Sequence, residues 1–177
     1  MSFGIISQHD CNNVDINYAV IVIQDPLTGA VMLTKRASHM RKHAGEFCFP
    51  GGKREDGETV TTTALRELYE EIGVTISDIH LVHRPDLPQA ATTYTSSLTF
   101  GVVYAHLRIP RDEFTSRLNL NTDEVELVKW FDIDNYELIY NDDTSGMIKI
   151  VDMDDASEVI GATADVLFAV FENYRNQ

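Results

Sequence analysis

The stretch Gly51-Gly-Lys-Arg-Glu-Asp-Gly-Glu-Thr-Val-Thr-Thr-Thr-Ala-Leu-Arg-Glu-Leu-Tyr-Glu-Glu-Ile-Gly-Val74 sets a glycine-rich loop directly before a helix-forming run that carries three closely spaced carboxylates. Glu67, Glu70 and Glu71 stand at i, i+3 and i+4, so at about 100° per residue they share one side of a helix, with Leu65, Leu68 and Ile72 on roughly the opposite side. Both ends of that helix are marked. Asp56, Gly57 and Glu58 make an acidic turn before it, Thr59 or Thr61 supplies a capping hydroxyl, and Gly73 suits the residue just past its last turn. Three like charges at this spacing repel one another and push their pKa values upward unless a cation sits among them. Carboxylate oxygens select hard cations, so Mg²⁺ or Mn²⁺ is the expected cofactor; the segment has no paired His or Cys at zinc-ligand spacing.

The complete spacing is more specific than the carboxylates alone. It runs glycine, five residues, glutamate, seven residues, Arg-Glu, an aliphatic, any residue, Glu-Glu, any residue, glycine, an aliphatic, and Gly52, Glu58, Arg66, Glu67, Leu68, Glu70, Glu71, Gly73 and Val74 fill every defined position. In this segment, residues 52–74, the chain resembles the Nudix hydrolases. The resemblance implies hydrolysis of a nucleoside diphosphate linked to another group. It also implies a metal site made by Glu67, Glu70, Glu71 and the Gly52 carbonyl, with Glu70 and Glu71 in catalytic positions and Glu58 and Arg66 bracing the loop against the helix.

Immediately upstream, residues 33–52 read Leu33-Thr-Lys-Arg-Ala-Ser-His-Met-Arg-Lys-His-Ala-Gly-Glu-Phe-Cys-Phe-Pro-Gly-Gly52. Arg36, Arg41, Gly45, Phe49, Pro50, Gly51 and Gly52 are similar to the additional motif of the coenzyme A diphosphatase branch, with Ala37 where that branch more often has serine. Six of the chain's fourteen Lys and Arg residues fall within these twenty positions or their edge, as Lys35, Arg36, Arg41, Lys42, Lys53 and Arg54, joined by His39 and His43. Against an acidic background, such a cluster reads as a site for a multiply phosphorylated ligand. Arg36, Arg41, Lys42 and His43 are the candidate substrate-binding residues.

A chain of 177 residues with 44% hydrophobic content is long enough for one domain with a core, and a single domain over 1–177 is expected. Its net charge of −14 excludes nucleic acid and anionic membranes as partners. It leaves room for a small phosphorylated substrate, since charges are screened within about 8 Å at physiological salt. A homodimer stays open. Cys11 and Cys48 form neither a disulfide framework nor a zinc pattern, and no export signal or membrane span is seen, so a cytoplasmic location is expected.

Tyr18 to Ile23 is continuously apolar, the mark of a strand covered on both faces; Asp25 to Gly29 reads as a turn into a partner strand at Val31 to Leu33. Ser97 to Leu107, Val125 to Ile133 and Met147 to Met153 read as further strands of the same mixed sheet. Ala164, Leu167, Phe168, Phe171 and Tyr174 mark a closing helix. The expected fold class is α/β, a Nudix-like α/β/α sandwich with the mixed sheet between helices. Trp130 reads as strand packing, His80, His83 and His106 show no ligand spacing, and the acidic run from Asp152 to Glu158 reads as a solvated loop.

The resemblance to the coenzyme A branch extends to Gly161-Ala-Thr-Ala164, but it weakens after Leu87-Pro88, where the branch's serine-glycine-aromatic turn is replaced. Ile160 also stands where a tryptophan is common. The implied substrate is coenzyme A or an acyl derivative, cleaved to 4′-phosphopantetheine and adenosine 3′,5′-bisphosphate. The alternatives are ADP-ribose or another nucleoside diphosphate derivative, and a non-catalytic nucleotide-binding module.

Overall fold

An uninterrupted apolar strand has to be covered on both faces, and the run beginning at Tyr18 is the spine of the protein for that reason. The computed structural model describes residues 5–6, 15–93, 98–140 and 148–177; Cys11, most of the N-terminal stretch, Ser97 and Met147 lie outside the described residues. In chain order the elements are β1 (Ile5–Ile6), β2 (Tyr18–Gln24), β3 (Val31–Arg36), β4 (Phe47–Cys48), β5 (Gly51–Lys53), α1 (Val60–Ile72), β6 (Ile79–Val82) and β7 (Ala90–Thr92). There follow β8 (Thr99–Leu107), α2 (Arg111–Ser116), β9 (Val125–Phe131), β10 (Tyr136–Tyr140), β11 (Ile148–Asp152), β12 (Glu158–Val159) and α3 (Gly161–Arg175).

β2 pairs antiparallel with β3, as the hairpin reading expects, and parallel with β8, with Tyr18 opposite Phe100 and Gln24 opposite His106. The sheet is therefore mixed. Alternate residues of β2 enter two separate cores. Ala19, Ile21 and Ile23 pack with Met32, Leu68 and Ile72 under α1, while Val22 joins Val31, Leu33, Leu167, Val170 and Phe171 under α3. The turn between β2 and β3 is tied by the Asp25 carboxylate, which accepts from the Leu27 amide at 3.0 Å and the Thr28 hydroxyl at 2.8 Å.

Helix α1 begins where the sequence marks it. Thr59 is the cap, its hydroxyl accepting from the Thr62 amide at 3.1 Å, and Gly73 ends the helix in the left-handed region at φ 74°. The last carbonyls of α1 are taken up by a distant segment. The Asn121 amide donates to the Glu71 carbonyl at 2.8 Å and the Asn119 amide to the Ile72 carbonyl at 3.0 Å. This docks the residues before β9 against the end of the helix.

β11, expected in the main sheet, lies instead between β10 and β12 in a separate three-stranded antiparallel sheet. Strand propensity marks that a segment is extended but leaves its partner open; here Ile150 and Val159 are drawn to the α3 side of the core. The acidic run after β11 is also less simple than a solvated loop. Asp152 is buried, and the Lys129 ammonium of β9 lies 3.2 Å from its carboxylate and 2.6 Å from that of Asp155. Trp130 packs as expected, edge to face with Phe114 at 6.1 Å between centroids.

Lys129→Ala should lower stability by about 2–4 kcal/mol, because it strands the buried Asp152 charge. Asp155→Ala, which removes only the exposed partner, should cost less than about 1 kcal/mol. Urea denaturation of both variants checks this, and equal losses would contradict it.

Candidate active site

The site is assembled by the approach of β5 to β2 and α1. β5 runs antiparallel to β2, with Gly51 opposite Val20 and Gly52 opposite Ala19. The approach leaves no room for side chains. A Cβ on Gly51 would lie 2.1 Å from the Ala19 carbonyl oxygen, and one on Gly52 would lie 2.4 Å from the Glu67 carboxylate. The glycines thus bring backbone into the space beside the helix carboxylates.

The three box glutamates have different surroundings. Glu71 is 5% exposed, on the side of the helix that also buries Leu68 and Ile72, and accepts from the Gly51 amide at 3.2 Å. Burial pushes its carboxyl up to about 8, and the charges of Glu67 and Glu124 push the same way; the Gly51 hydrogen bond and Arg36 offset part of this. Glu67 is half-buried and also shifted upward, first by burial, against the pull of Arg66. Glu70 is exposed and its carboxylate lies 3.0 Å from Arg66 Nη1. The expected common face therefore splits, since i+3 and i+4 from Glu67 fall on either side of the helix contact line and only Glu71 turns inward.

Arg66 is the centre of the polar network. Its Nε donates to Glu58 Oε1 at 2.8 Å, Nη2 to Glu58 Oε2 at 3.1 Å and to the Lys53 carbonyl at 3.0 Å, and Nη1 to Glu67 at 2.9 Å. Glu58 also accepts from the Glu55 amide at 3.0 Å and the Thr63 hydroxyl at 2.7 Å. Arg66 first, then these two donors, hold the Glu58 carboxyl near 2. One guanidinium so links β5, the turn before α1 and two helix carboxylates.

A cleft of about 580 Å³ opens over this floor. Gly51, Gly52, Glu67, Glu71 and Glu124 line its acidic part, and Arg36, Lys42, His43 and Lys53 bring positive charge. Arg36 Nε is buried with no hydrogen-bond partner among the described residues. His43 sits in the left-handed region at φ 56°, its Nδ1 2.9 Å from Glu46. Of the expected site residues, Arg41 and Glu70 are exposed and lie outside the cleft lining. Cys48 lines the cleft as a half-buried thiol that burial pushes up to about 11, which disfavours its nucleophilic thiolate form.

Glu124 had no signal in local spacing. It lies 53 positions after Glu71 and reaches the site because the Asn119 and Asn121 amides cap α1. Among the described residues no three His, Cys, Asp or Glu side chains stand at metal-holding spacing, as Arg66 engages Glu67 and Glu70. The donor chemistry nonetheless fits a hard divalent cation: burial, and after it the neighbouring carboxylates, disfavour the charged form of Glu71, and a cation beside it relieves both.

A model of the NUDIX domain matches residues 15–151. The chain belongs to the NUDIX family. It is 36% identical over 125 residues to Nudix hydrolase 3 of Caenorhabditis elegans, which is 68% of this chain and 50% of that protein. It is 34% identical over 129 residues to the peroxisomal coenzyme A diphosphatase ndx-8 of the same organism, which is 62% of this chain and 55% of that protein. The chain thus spans about half the length of these relatives. Among solved structures, a MutT/nudix family protein from Enterococcus faecalis aligns at a TM-score of 0.56 and 16% identity, over 93% of this chain and 64% of that one. A C. elegans Ap4A hydrolase aligns at 0.51 and 23%, over 66% and 80%. Both show the shared α/β NUDIX fold. Among the described residues, no helix is long and apolar enough to cross a membrane.

Gly52→Ala places a methyl group where the Glu67 carboxylate now lies, at the movable end of a side chain. It should weaken Mn²⁺ binding at the carboxylate cluster at least about tenfold, with a melting temperature within a few degrees of the parent. Arg66→Ala should lower the melting temperature by several degrees. An unchanged melting temperature there would show that the Arg66 links carry no structural weight.

Proposed function

We propose that this chain hydrolyses the pyrophosphate bond of a nucleoside diphosphate derivative with Mg²⁺ or Mn²⁺, and that coenzyme A or an acyl derivative is its substrate. The observation that carries this reading is the juxtaposition in one cleft of the Glu67, Glu71 and Glu124 carboxylates with Arg36, Lys42, His43 and Lys53. A metal-binding floor and a cationic wall are what a diphosphate requires. The ndx-8 relative and the motif over residues 33–52 favour coenzyme A. ADP-ribose is the second reading, because the chain departs from that motif's branch after Leu87-Pro88.

In this proposal Glu67, Glu71 and the Gly52 carbonyl would hold the metal, and Glu70, now paired with Arg66, would be the further carboxylate ligand. The bound cation would polarise the phosphoryl oxygens and acidify the attacking water. Arg36, whose buried Nε has no hydrogen-bond partner among the described residues, donates to a phosphate oxygen, and Lys42 and His43 offset the remaining negative charge. Glu124, hydrogen-bonded only weakly through Asn121 at 3.3 Å, takes the proton of the attacking water. Arg66 and Glu58 keep the loop and helix in register. The products from coenzyme A are 4′-phosphopantetheine and adenosine 3′,5′-bisphosphate. A cytoplasmic location belongs to the same proposal.

Glu71→Gln and Glu70→Gln should each reduce kcat with Mg²⁺ by at least about 100-fold while the apolar side of α1 keeps the fold intact. Near-parental turnover in both overturns the metal assignment, and retention in Glu70→Gln alone restricts the ligands to Gly52, Glu67 and Glu71. For the substrate, kcat/KM is measured for coenzyme A, dephospho-coenzyme A and ADP-ribose at fixed ionic strength. Coenzyme A should lead, with the 3′-phosphate contributing roughly 10- to 150-fold over the dephospho form. ADP-ribose equal or better makes the second reading the correct one, and no turnover of any of them overturns the coenzyme A reading and leaves another nucleoside diphosphate derivative or a binding module.

A further inference from the structure

The cleft has apolar lining that diphosphate chemistry does not use. Leu98, just before β8, and Ile160, just before α3, line the cleft and are 39% and 44% exposed, which sets them at its mouth, while Tyr18, Val20, Phe49 and Phe100 add apolar lining. Large apolar side chains left in solvent around a cleft are what a ligand's apolar part covers on binding. The backbone at Ile160 adds an independent argument. Ile160 is the N-cap of α3, at φ −128° and ψ 166°, and no side-chain hydrogen bond caps the helix. Ser, Thr, Asp or Asn would stabilise that position, whereas isoleucine forgoes the cap and exposes a hydrocarbon surface. The local cost is explained if the side chain has a partner that arrives with the substrate.

Resting on the diphosphate hydrolase reading above, we infer that Leu98 and Ile160 are specificity-determining residues that seat an aliphatic chain on the non-nucleoside half of the substrate. The charged groups hold the diphosphate at the floor, so the group beyond it leaves through this mouth. A sugar there would lose water from its hydroxyls against hydrocarbon, while an alkyl or acyl chain would bury its methylenes. Each fully buried methylene strengthens binding about fourfold, and an open mouth gives part of that.

The test is a series of terminal-phosphate esters of ADP, methyl, butyl and octyl, whose dissociation constants are measured by calorimetry in EDTA so that turnover plays no part. The octyl ester should bind at least about tenfold more tightly than the methyl ester. Ile160→Asn and Leu98→Asn should each reduce that ratio below about threefold and leave methyl ester affinity within about twofold of the parent. Ile160→Asn supplies a better N-cap, so its melting temperature should be equal or higher, which separates lost selectivity from lost fold. A flat series in the parent, or a ratio that survives both substitutions, overturns the inference. A flat series alongside rapid coenzyme A hydrolysis defeats this inference alone. A steep series alongside a preference for ADP-ribose defeats the coenzyme A reading alone.

Discussion

Glu71 must be buried because it follows Leu68 by three residues and precedes Ile72, on the stripe that holds α1 to the sheet. Water is removed from its carboxylate, one backbone amide of Gly51 is the hydrogen bond it receives, and Glu67 and Glu124 add like charge. A group in that position is stable as a neutral acid or as an anion beside a cation. Much of the surrounding structure bears on this choice. Gly51 and Gly52 have no side chain because β5 has to pass within contact of Ala19 and Glu67. Arg66 forms its ion pairs with the more exposed carboxylates Glu58, Glu67 and Glu70, and Glu71 is held instead by the Gly51 amide.

The cap of α1 couples the helix to the rest of the cleft. Gly73 turns the chain out of the helix, and the segment of Asn119 to Glu124 folds back to take the freed carbonyls. The Glu124 carbonyl then accepts from the Ala37 amide at 2.8 Å, at the start of the loop that carries the basic residues. The acidic floor and the cationic wall are consequently joined by backbone hydrogen bonds and do not rely on one another's charges for their placement. Lys42 and His43 are presented by a short loop closed through the Arg36 and Glu46 backbones, with Gly45 at φ 73°.

Much of this was legible in the sequence because it is local. The spacing from Gly52 to Val74 fixes the helix, its caps and its carboxylates, and the apolar run at Tyr18 requires a sheet covered on both faces. The partner of β11 was not legible, because strand propensity does not name a partner; the register sets Ile150 opposite Leu138 on one side and Val159 on the other. The split between Glu70 and Glu71 was missed for a finer reason: a 100° step places both near one face, and the actual line of contact with β2 runs between them. Glu124 and the apolar mouth of Leu98 and Ile160 come from segments whose meeting no periodicity records. Arg41 illustrates the reverse, since a basic residue within a cluster is drawn into a sequence motif although its side chain stands outside the cleft.

The claim that Glu71 is buried in order to meet a divalent cation is tested most directly by Mn²⁺ binding, read as the loss of the free-ion electron paramagnetic resonance signal during titration. The intact protein should show a saturable site, and Glu71→Gln should weaken it at least about tenfold, equivalent to about 1.4 kcal/mol. Glu71→Gln binding Mn²⁺ as tightly as the parent would contradict the account.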